Sequence, residues 1–227
     1  MDTGKKYRTA LVHSTINAVQ PINSYIQKNA SDLKPVNYLD GALMDVIGKE
    51  GGITDHSMSR FLDLLSRACD DEADGIILTC TVFTPYQEAF QALFKPPIVC
   101  ADAAMLDQLS KQEGRTAIIC TFEGTVDTSR DGYKSYCRKN GTDEQVDMYV
   151  VSGALDAIAE GDAEKFHELI RDKIREIDAE YDNIALAQMS MSGAAERFIP
   201  EHARIFTSPA CAVAQLRNIL SDNNSVQ

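Results

Sequence analysis

The sequence predicts an α/β fold made of two pseudo-symmetric three-layer halves, each with a short parallel sheet, and an active-site cleft between the halves. Three observations lead to this prediction. Strand-like and helix-like segments alternate along the 227 residues, which is typical of parallel strands joined by helical crossovers. The strand segment Ile76-Ile77-Leu78 is apolar throughout, as expected of a strand covered on both faces. Finally, the second half of the chain repeats features of the first.

The expected elements follow one another in regular order. We predict strands at residues 8–13, 36–39, 75–80, 98–101, 115–121, 146–151, 184–188 and 205–208. We predict helices, several with apolar residues at helical spacing, at residues 17–29, 57–70, 86–93, 103–112, 127–140, 154–160, 163–181, 192–198 and 209–220.

The internal repeat rests on three pairs of similar segments: 8–15 with 115–122, 76–80 with 184–188, and 97–99 with 204–206. The offsets are 107 (from 8 to 115), 108 (from 76 to 184) and 107 (from 97 to 204) residues. Each similarity is weak, but their common order and spacing indicate two related halves. We place the N-terminal half at 1–100 plus 208–227 and the C-terminal half at 101–207.

Composition and motif content argue against several classes of protein. A net charge of −12 argues against a nucleic-acid-binding protein. The N-terminal residues lack the apolar core of a signal peptide, and no apolar run is long enough to span a membrane. The six cysteines form no CxxC pair and no zinc-site spacing with the four histidines. These features predict a cytoplasmic protein without a metal.

The candidate reactive residue is Cys80, which ends the third predicted strand. In open α/β sheets, ligands bind beyond the carboxyl ends of the strands. A cysteine there, flanked by Thr79 and Thr81 and followed by a helix, is expected to have a lowered thiol pKa. Cys69 and Cys211 lie in helical patterns and are expected in the core, whereas Cys100 and Cys120 also end strands.

If the two halves face each other, Cys80 lies opposite Gln188, and the loops after the first strands of each half also meet. Such a cleft offers hydroxyl groups and backbone N–H groups, which suit a carboxylate or an enolate formed from one. The sequence contains no glycine-rich phosphate loop, and we predict no cofactor.

These features resemble the aspartate/glutamate racemase superfamily, which includes hydantoin racemases, maleate isomerases and arylmalonate decarboxylases. The resemblance covers nearly the whole chain. It rests on His13-Ser14-Thr15, Cys80-Thr81, the segment 98–105, the turn 121–125 and the segment 186–191. It implies two α/β halves around a central cleft, with two cysteines on opposite sides of the substrate.

The resemblance places Cys80 at the first catalytic cysteine and Gln188 at the second. Because an amide has no useful pKa, Gln188 cannot exchange a proton at carbon, and racemisation by two thiols is in doubt. Cys120 is the nearest other candidate base. Relatives with one reactive cysteine act as cis–trans isomerases, with the nucleophile at the first position, or as decarboxylases, with the cysteine at the second.

We therefore predict a cofactor-independent isomerase that acts on a small amino or dicarboxylic acid through the single thiol of Cys80. The alternatives are a lyase or decarboxylase on a related acid, and a small-molecule-binding protein that has lost turnover. The predicted substrate-binding residues are Ser14, Thr15, Thr81, Val82, Thr121, Thr125, Met189 and Ser190. The hydroxyls of Ser14 and Thr15 could instead cap the following helix. The resemblance is compatible with a homo-oligomer.

Overall fold

The computed structural model describes residues 5–196 and 198–225. Its strands are β1 Tyr7–His13, β2 Leu33–Leu39, β3 Gly75–Leu78, β4 Ile98–Cys100, β5 Thr116–Cys120, β6 Asp147–Val150, β7 Asn183–Leu186 and β8 Arg204–Thr207. Its helices are α1 Val19–Asn29, α2 Leu43–Glu50, α3 Asp55–Asp70, α4 Gln87–Leu93, α5 Ala101–Ser110, α6 Val126–Asn140, α7 Ala154–Ala159, α8 Ala163–Ile177, α9 Ser192–Ala195 and α10 Ser208–Ser225.

The chain folds into two compact units. Unit one ends at Ala101 and resumes at Ala212, and unit two comprises Asp102–Cys211. In the described part of unit one, four parallel strands are arranged in the order β2-β1-β3-β4. In the described part of unit two, the order is β6-β5-β7-β8, again all parallel. The two sheets therefore have the same topology, which confirms the predicted α/β fold with two pseudo-symmetric halves.

The repeat extends to individual hydrogen bonds at the amino ends of the strands. In unit one the backbone N–H of Arg8 donates to the Asp74 carboxylate at 2.7 Å, and the Asp74 N–H donates to the Arg8 carbonyl at 2.8 Å. In unit two Arg115 and Asp182 make the same pair of bonds, at 2.7 and 3.0 Å. Each aspartate joins the start of one central strand to the start of the next.

Each unit has a core of its own. In unit one, Phe61 of α3 stacks on Phe83 with ring centroids 3.7 Å apart, and both side chains are fully buried. In unit two, α8 places Phe166, Ile170 and Ile174 on one face, where they pack into the apolar cluster around β5 and β7.

Several local predictions differ from the structure. Helix α2 was not predicted, because Gly48 within it and the Gly51-Gly52 pair directly after it weaken the helical pattern. Strand β3 ends at Leu78, so Cys80 lies in the connection after the strand. The helix predicted at 192–198 ends at Ala195. Residue 197, like 1–4 and 226–227, lies outside the described residues, and the signal-peptide prediction falls partly on them.

None of the helices in the described part of the chain has the length and apolar character needed to cross a membrane. Within the same residues, no group of three or more His, Cys, Asp or Glu side chains is placed to hold a metal ion.

Candidate active site

Parallel strands end at the same edge of a sheet, and this rule sorts the predicted site residues into two groups. In unit one, β1 and β3 are neighbours with Val12 opposite Leu78, so the residues that follow them share an edge. That edge carries Ser14, Thr15, Cys80, Thr81 and Val82. In unit two, β5 and β7 are neighbours with Ile119 opposite Leu186. That edge carries Thr121, Thr125, Gln188, Met189 and Ser190.

Cys80 is half-buried at the point where β3 gives way to a turn of 3-10 helix, Thr81–Tyr86. Its backbone is extended, and its carbonyl accepts the N–H of Phe83 at 3.3 Å. Its Sγ lies 3.9 Å from the Sδ of Met44. Met44 is absent from the sequence-based site because it belongs to α2, the helix that the sequence analysis did not predict.

Ser14 has the clearest capacity for a ligand in unit one. Its side chain is buried, with 2% relative exposure, and its hydroxyl finds no hydrogen-bond partner among the described residues. A buried hydroxyl without a partner is costly and calls for an explanation, and a bound ligand supplies one. The hydroxyl of the exposed Thr15 does not cap the following turn, so helix capping does not account for Thr15.

Gln188 is engaged within unit two. Its Oε1 accepts the backbone N–H of Thr121 at 3.2 Å, and its Nε2 donates to the Thr125 hydroxyl at 2.8 Å. The same hydroxyl donates to the Phe122 carbonyl at 2.9 Å. The Gln188 amide is therefore bonded at both ends to the turn after β5. These two bonds restrain the Gln188 side chain.

Cys120, the other candidate base, lies in a poor environment for a thiolate. It is fully buried, and this burial raises the pKa of its thiol, an effect that hydrogen bonds with Thr125 and Ser129 only partly oppose. Its Sγ lies 3.9 Å from the Ser129 hydroxyl. The structure therefore argues against Cys120 as a replacement for a second catalytic thiol.

The remaining predicted residues frame these two edges. Thr81 and Val82 begin the 3-10 turn after Cys80, and both are exposed. Met189 is buried and Ser190 half-buried in a short 3-10 turn after β7. The ten predicted residues thus supply hydroxyl, thiol, amide and backbone groups and no charged side chain.

Asp40 and Arg60 form an ion pair at the end of β2 in unit one. Asp40, directly after β2, accepts two hydrogen bonds from the Arg60 guanidinium, both at 2.8 Å. The Asp40 backbone N–H donates to the His13 carbonyl at 3.2 Å. The Arg60 guanidinium is therefore engaged in a bidentate contact with the Asp40 carboxylate.

A cavity of about 880 Å³ lies at the other end of the unit-two sheet, at the amino ends of the strands. Arg115, Asp147 and Asp182 contribute to its wall, and none of the ten predicted residues does. It is therefore separate from the carboxyl edge where the predicted residues of unit two lie.

Comparison with known proteins gives a family and a fold. The family model described as Asp/Glu/Hydantoin racemase matches residues 12–216. No curated protein matches the sequence.

Several solved structures have a similar fold. An aspartate racemase from Picrophilus torridus is 12% identical, with a TM-score of 0.67 over 95% of this chain and 94% of that one. A glutamate racemase from Bacillus anthracis is 13% identical, with a TM-score of 0.65 over 96% and 82%. An allantoin racemase from Klebsiella pneumoniae is 14% identical, with a TM-score of 0.66 over 96% and 89%. At such low identity these structures establish similarity of fold alone.

Proposed function

Because the chain belongs to the Asp/Glu/hydantoin racemase family, we propose that it is a cofactor-independent isomerase that acts on a small carboxylic acid through the single thiol of Cys80. The proposal rests on the difference between two equivalent positions, Cys80 in unit one and Gln188 in unit two. Cys80 follows β3 by two residues and presents a half-buried thiol. Gln188 follows β7 by two residues and presents an amide that is bonded to Thr121 and Thr125.

A chemistry that needs one thiol and no second base fits this arrangement. The Cys80 thiolate adds to one carbon of a cis carbon–carbon double bond, and its electron pair forms the C–S bond. The π electrons move onto the adjacent carbon, where a carboxylate stabilises them as an enediolate. After rotation about the new single bond, the π bond re-forms and expels the thiolate. No proton is transferred to a second protein group, so Gln188 need not act as an acid or base.

The neutral groups around Cys80 support binding of the carboxylate. The Ser14 hydroxyl is buried and lacks a partner among the described residues, so a carboxylate oxygen would satisfy it. Thr81 and Val82 would donate backbone N–H groups as charge develops on the substrate.

The experiment follows conversion of maleate to fumarate by proton NMR, together with deuterium uptake at Cα of aspartate and glutamate in D₂O. We expect isomerisation by the native chain, a loss of at least about 100-fold in Cys80→Ser, and no loss in Cys69→Ser. Cys69 is the matched control because it is also partly exposed but lies in α3. Deuterium uptake without isomerisation would favour a racemase-like reaction, and absence of both would contradict the proposal.

A second candidate, a binding protein without turnover, is favoured by the restrained amide of Gln188. Mass spectrometry of Cys80 alkylation against pH, with and without small dicarboxylates, separates the two. An enzyme requires a thiol that reacts at neutral pH and is protected by ligand. In a binding protein without turnover, ligand would protect Cys80 from alkylation, but the thiol need not react at neutral pH.

A further inference from the structure

The carboxyl edge of unit one contains a buried histidine for which the proposed reaction has no role. His13 is the last residue of β1, and its side chain is fully buried. Its Nδ1 lies 2.8 Å from the Thr79 hydroxyl, and its Nε2 lies 2.9 Å from the Asn37 Oδ1. Thr79 directly precedes Cys80, and His13 directly precedes Ser14.

The hydrogen-bond network determines the tautomer of His13, starting from a backbone carbonyl. The Asn23 Nδ2 donates to the Val19 carbonyl at 2.7 Å, which fixes the orientation of the Asn23 amide. That Nδ2 also donates to the Asn37 Oδ1 at 2.7 Å, which fixes the Asn37 amide. The oxygen that faces His13 Nε2 is therefore an acceptor, so Nε2 must carry the proton.

The tautomer in turn fixes the hydroxyl of Thr79. Burial lowers the pKa of His13, more than the Asn37 hydrogen bond raises it, so the ring is neutral. A neutral ring protonated on Nε2 has a lone pair on Nδ1, so the Thr79 hydroxyl donates to it. The same hydroxyl also lies 3.2 Å from the Val12 carbonyl, which accepts the Thr79 backbone N–H as well. Donation to Nδ1, at the shorter distance of 2.8 Å, is favoured because the buried Nδ1 lone pair would otherwise face the lone pairs of the hydroxyl oxygen.

Unit two provides an internal comparison. The Thr79 N–H donates to the Val12 carbonyl at 3.1 Å, and at the equivalent place the Ala187 N–H donates to the Ile119 carbonyl at 2.9 Å. The residues that correspond to His13 and Thr79 are therefore Cys120 and Ala187. Because alanine has no hydroxyl, unit two cannot form this side-chain bridge between its central strands. The bridge occurs in the unit that carries the half-buried thiol.

We propose that His13 is a positioning residue, which holds the Thr79–Cys80 connection against the end of β1 and so sets the separation between the Cys80 thiol and the Ser14 hydroxyl. The inference rests on the proposed function in treating these two groups as one site. The Asp40 N–H, which donates to the His13 carbonyl, extends the connection to β2. Three neighbouring strands are thus joined at the edge where the thiol lies.

Two substitutions separate the two functions of the ring. In His13→Asn, the side-chain oxygen takes the place of Nδ1 and retains the acceptor for Thr79. In His13→Gln, the side-chain nitrogen takes the place of Nε2 and retains the donor to Asn37. Both variants keep a polar amide in the buried position, so a merely structural role predicts that they behave alike. Thr79→Val and Thr79→Ser form a second matched pair, without and with the hydroxyl.

The measurement is the rate of Cys80 alkylation by iodoacetamide at pH 7.5, read by peptide mass spectrometry with Cys69 as the reference thiol in each sample. We expect a rate about fivefold lower in His13→Gln and Thr79→Val, as for loss of one neutral hydrogen bond, and rates within about twofold of the native value in His13→Asn and Thr79→Ser. Equal rates in the two His13 variants, or an unchanged rate in His13→Gln, would overturn the inference.

A measurement on the native chain covers the case in which the variants do not fold. Nitrogen-15 NMR of the His13 ring should show a protonated Nε2 and an unprotonated, hydrogen-bonded Nδ1 at neutral pH. The opposite tautomer would overturn the inference. Since alkylation and ring NMR need no substrate, they stand if maleate is not converted. Conversely, if maleate is converted but all variants alkylate at the native rate, the proposed function stands and His13 does not position Cys80.

Discussion

The two units use the same strand order to build carboxyl edges of different chemistry. In unit one the connection after β3 presents the thiol of Cys80, and a histidine joins the neighbouring strands behind it. In unit two the connection after β7 presents Gln188, whose amide closes onto the turn after β5. In unit one His13 connects the two neighbouring strands, whereas in unit two Gln188, which is equivalent to Cys80, connects them itself.

This difference indicates that the internal repeat supplies the frame and that a few side chains at the strand ends decide the chemistry. The backbone bonds at these ends are shared, as Thr79 to Val12 and Ala187 to Ile119 show. The side chains that follow them are not shared. Changes at these positions should therefore alter reactivity more than they alter the fold.

Placing a thiol at position 188 in unit two is the change with the largest expected effect on activity. Gln188→Cys should raise deuterium exchange at Cα of an amino acid substrate by about 100-fold, because it places an acid–base group at the position that the family resemblance assigns to the second catalytic cysteine. Deuterium uptake followed by NMR measures it. Gln188→Ser is the control, since it also removes the Gln188 amide but adds no thiol. Equal exchange in both variants would contradict a proton-transfer role for a thiol at position 188.

A second difference between the units concerns the aspartates after α3 and α8. In unit two the buried Asp178 accepts backbone N–H groups from Glu201 and Ala203, both at 2.8 Å, and from His202 at 3.2 Å. In unit one Asp71 accepts the Tyr38 hydroxyl at 2.7 Å, and its side chain is half-exposed. We expect Asp178→Asn to lower the free energy of unfolding by about 2 kcal/mol, since hydrogen bonds to a charged group are lost, and Asp71→Asn by less than about 1 kcal/mol.

The pH dependence sharpens this prediction. Burial alone would raise the pKa of Asp178, but the backbone hydrogen bonds outweigh burial and hold its pKa below the usual value. Its contribution to stability is therefore fully present above the unfolded-state pKa of about 3.9 and is lost as the pH falls through the lower folded-state value. Urea titrations between pH 3 and 7 should show a smaller loss on acidification in Asp178→Asn than in the native chain. Parallel curves would contradict this account.

Strands and helices with a clear local pattern were predicted from the sequence, whereas contacts between residues far apart in sequence were not. The apolar run at 76–78 predicted β3, although the strand ends at Leu78 and Cys80 lies two residues beyond it. The hydrogen bond of Gln188 joins residues 188 and 121, which are far apart in sequence, so only the pairing of β5 with β7 reveals it. Met44 was missed because Gly48 and Gly51-Gly52 weaken the pattern of its helix. The missing partner of Ser14 is a property of packing, which no spacing encodes.

A smaller effect than that of Asp178→Asn is expected for a variant that tests whether Gln188 restrains the turn after β5. Thr125→Val removes the hydroxyl that accepts from Gln188 Nε2 and donates to the Phe122 carbonyl. Loss of this pair of neutral hydrogen bonds should lower the free energy of unfolding by about 1 kcal/mol and the melting temperature by about 2–4 °C. Calorimetry measures both, with Thr125→Ser as the control that keeps the hydroxyl. A melting temperature unchanged in Thr125→Val would mean that the amide of Gln188 is free to engage a ligand, and the contrast between the two edges would then lie in chemistry alone.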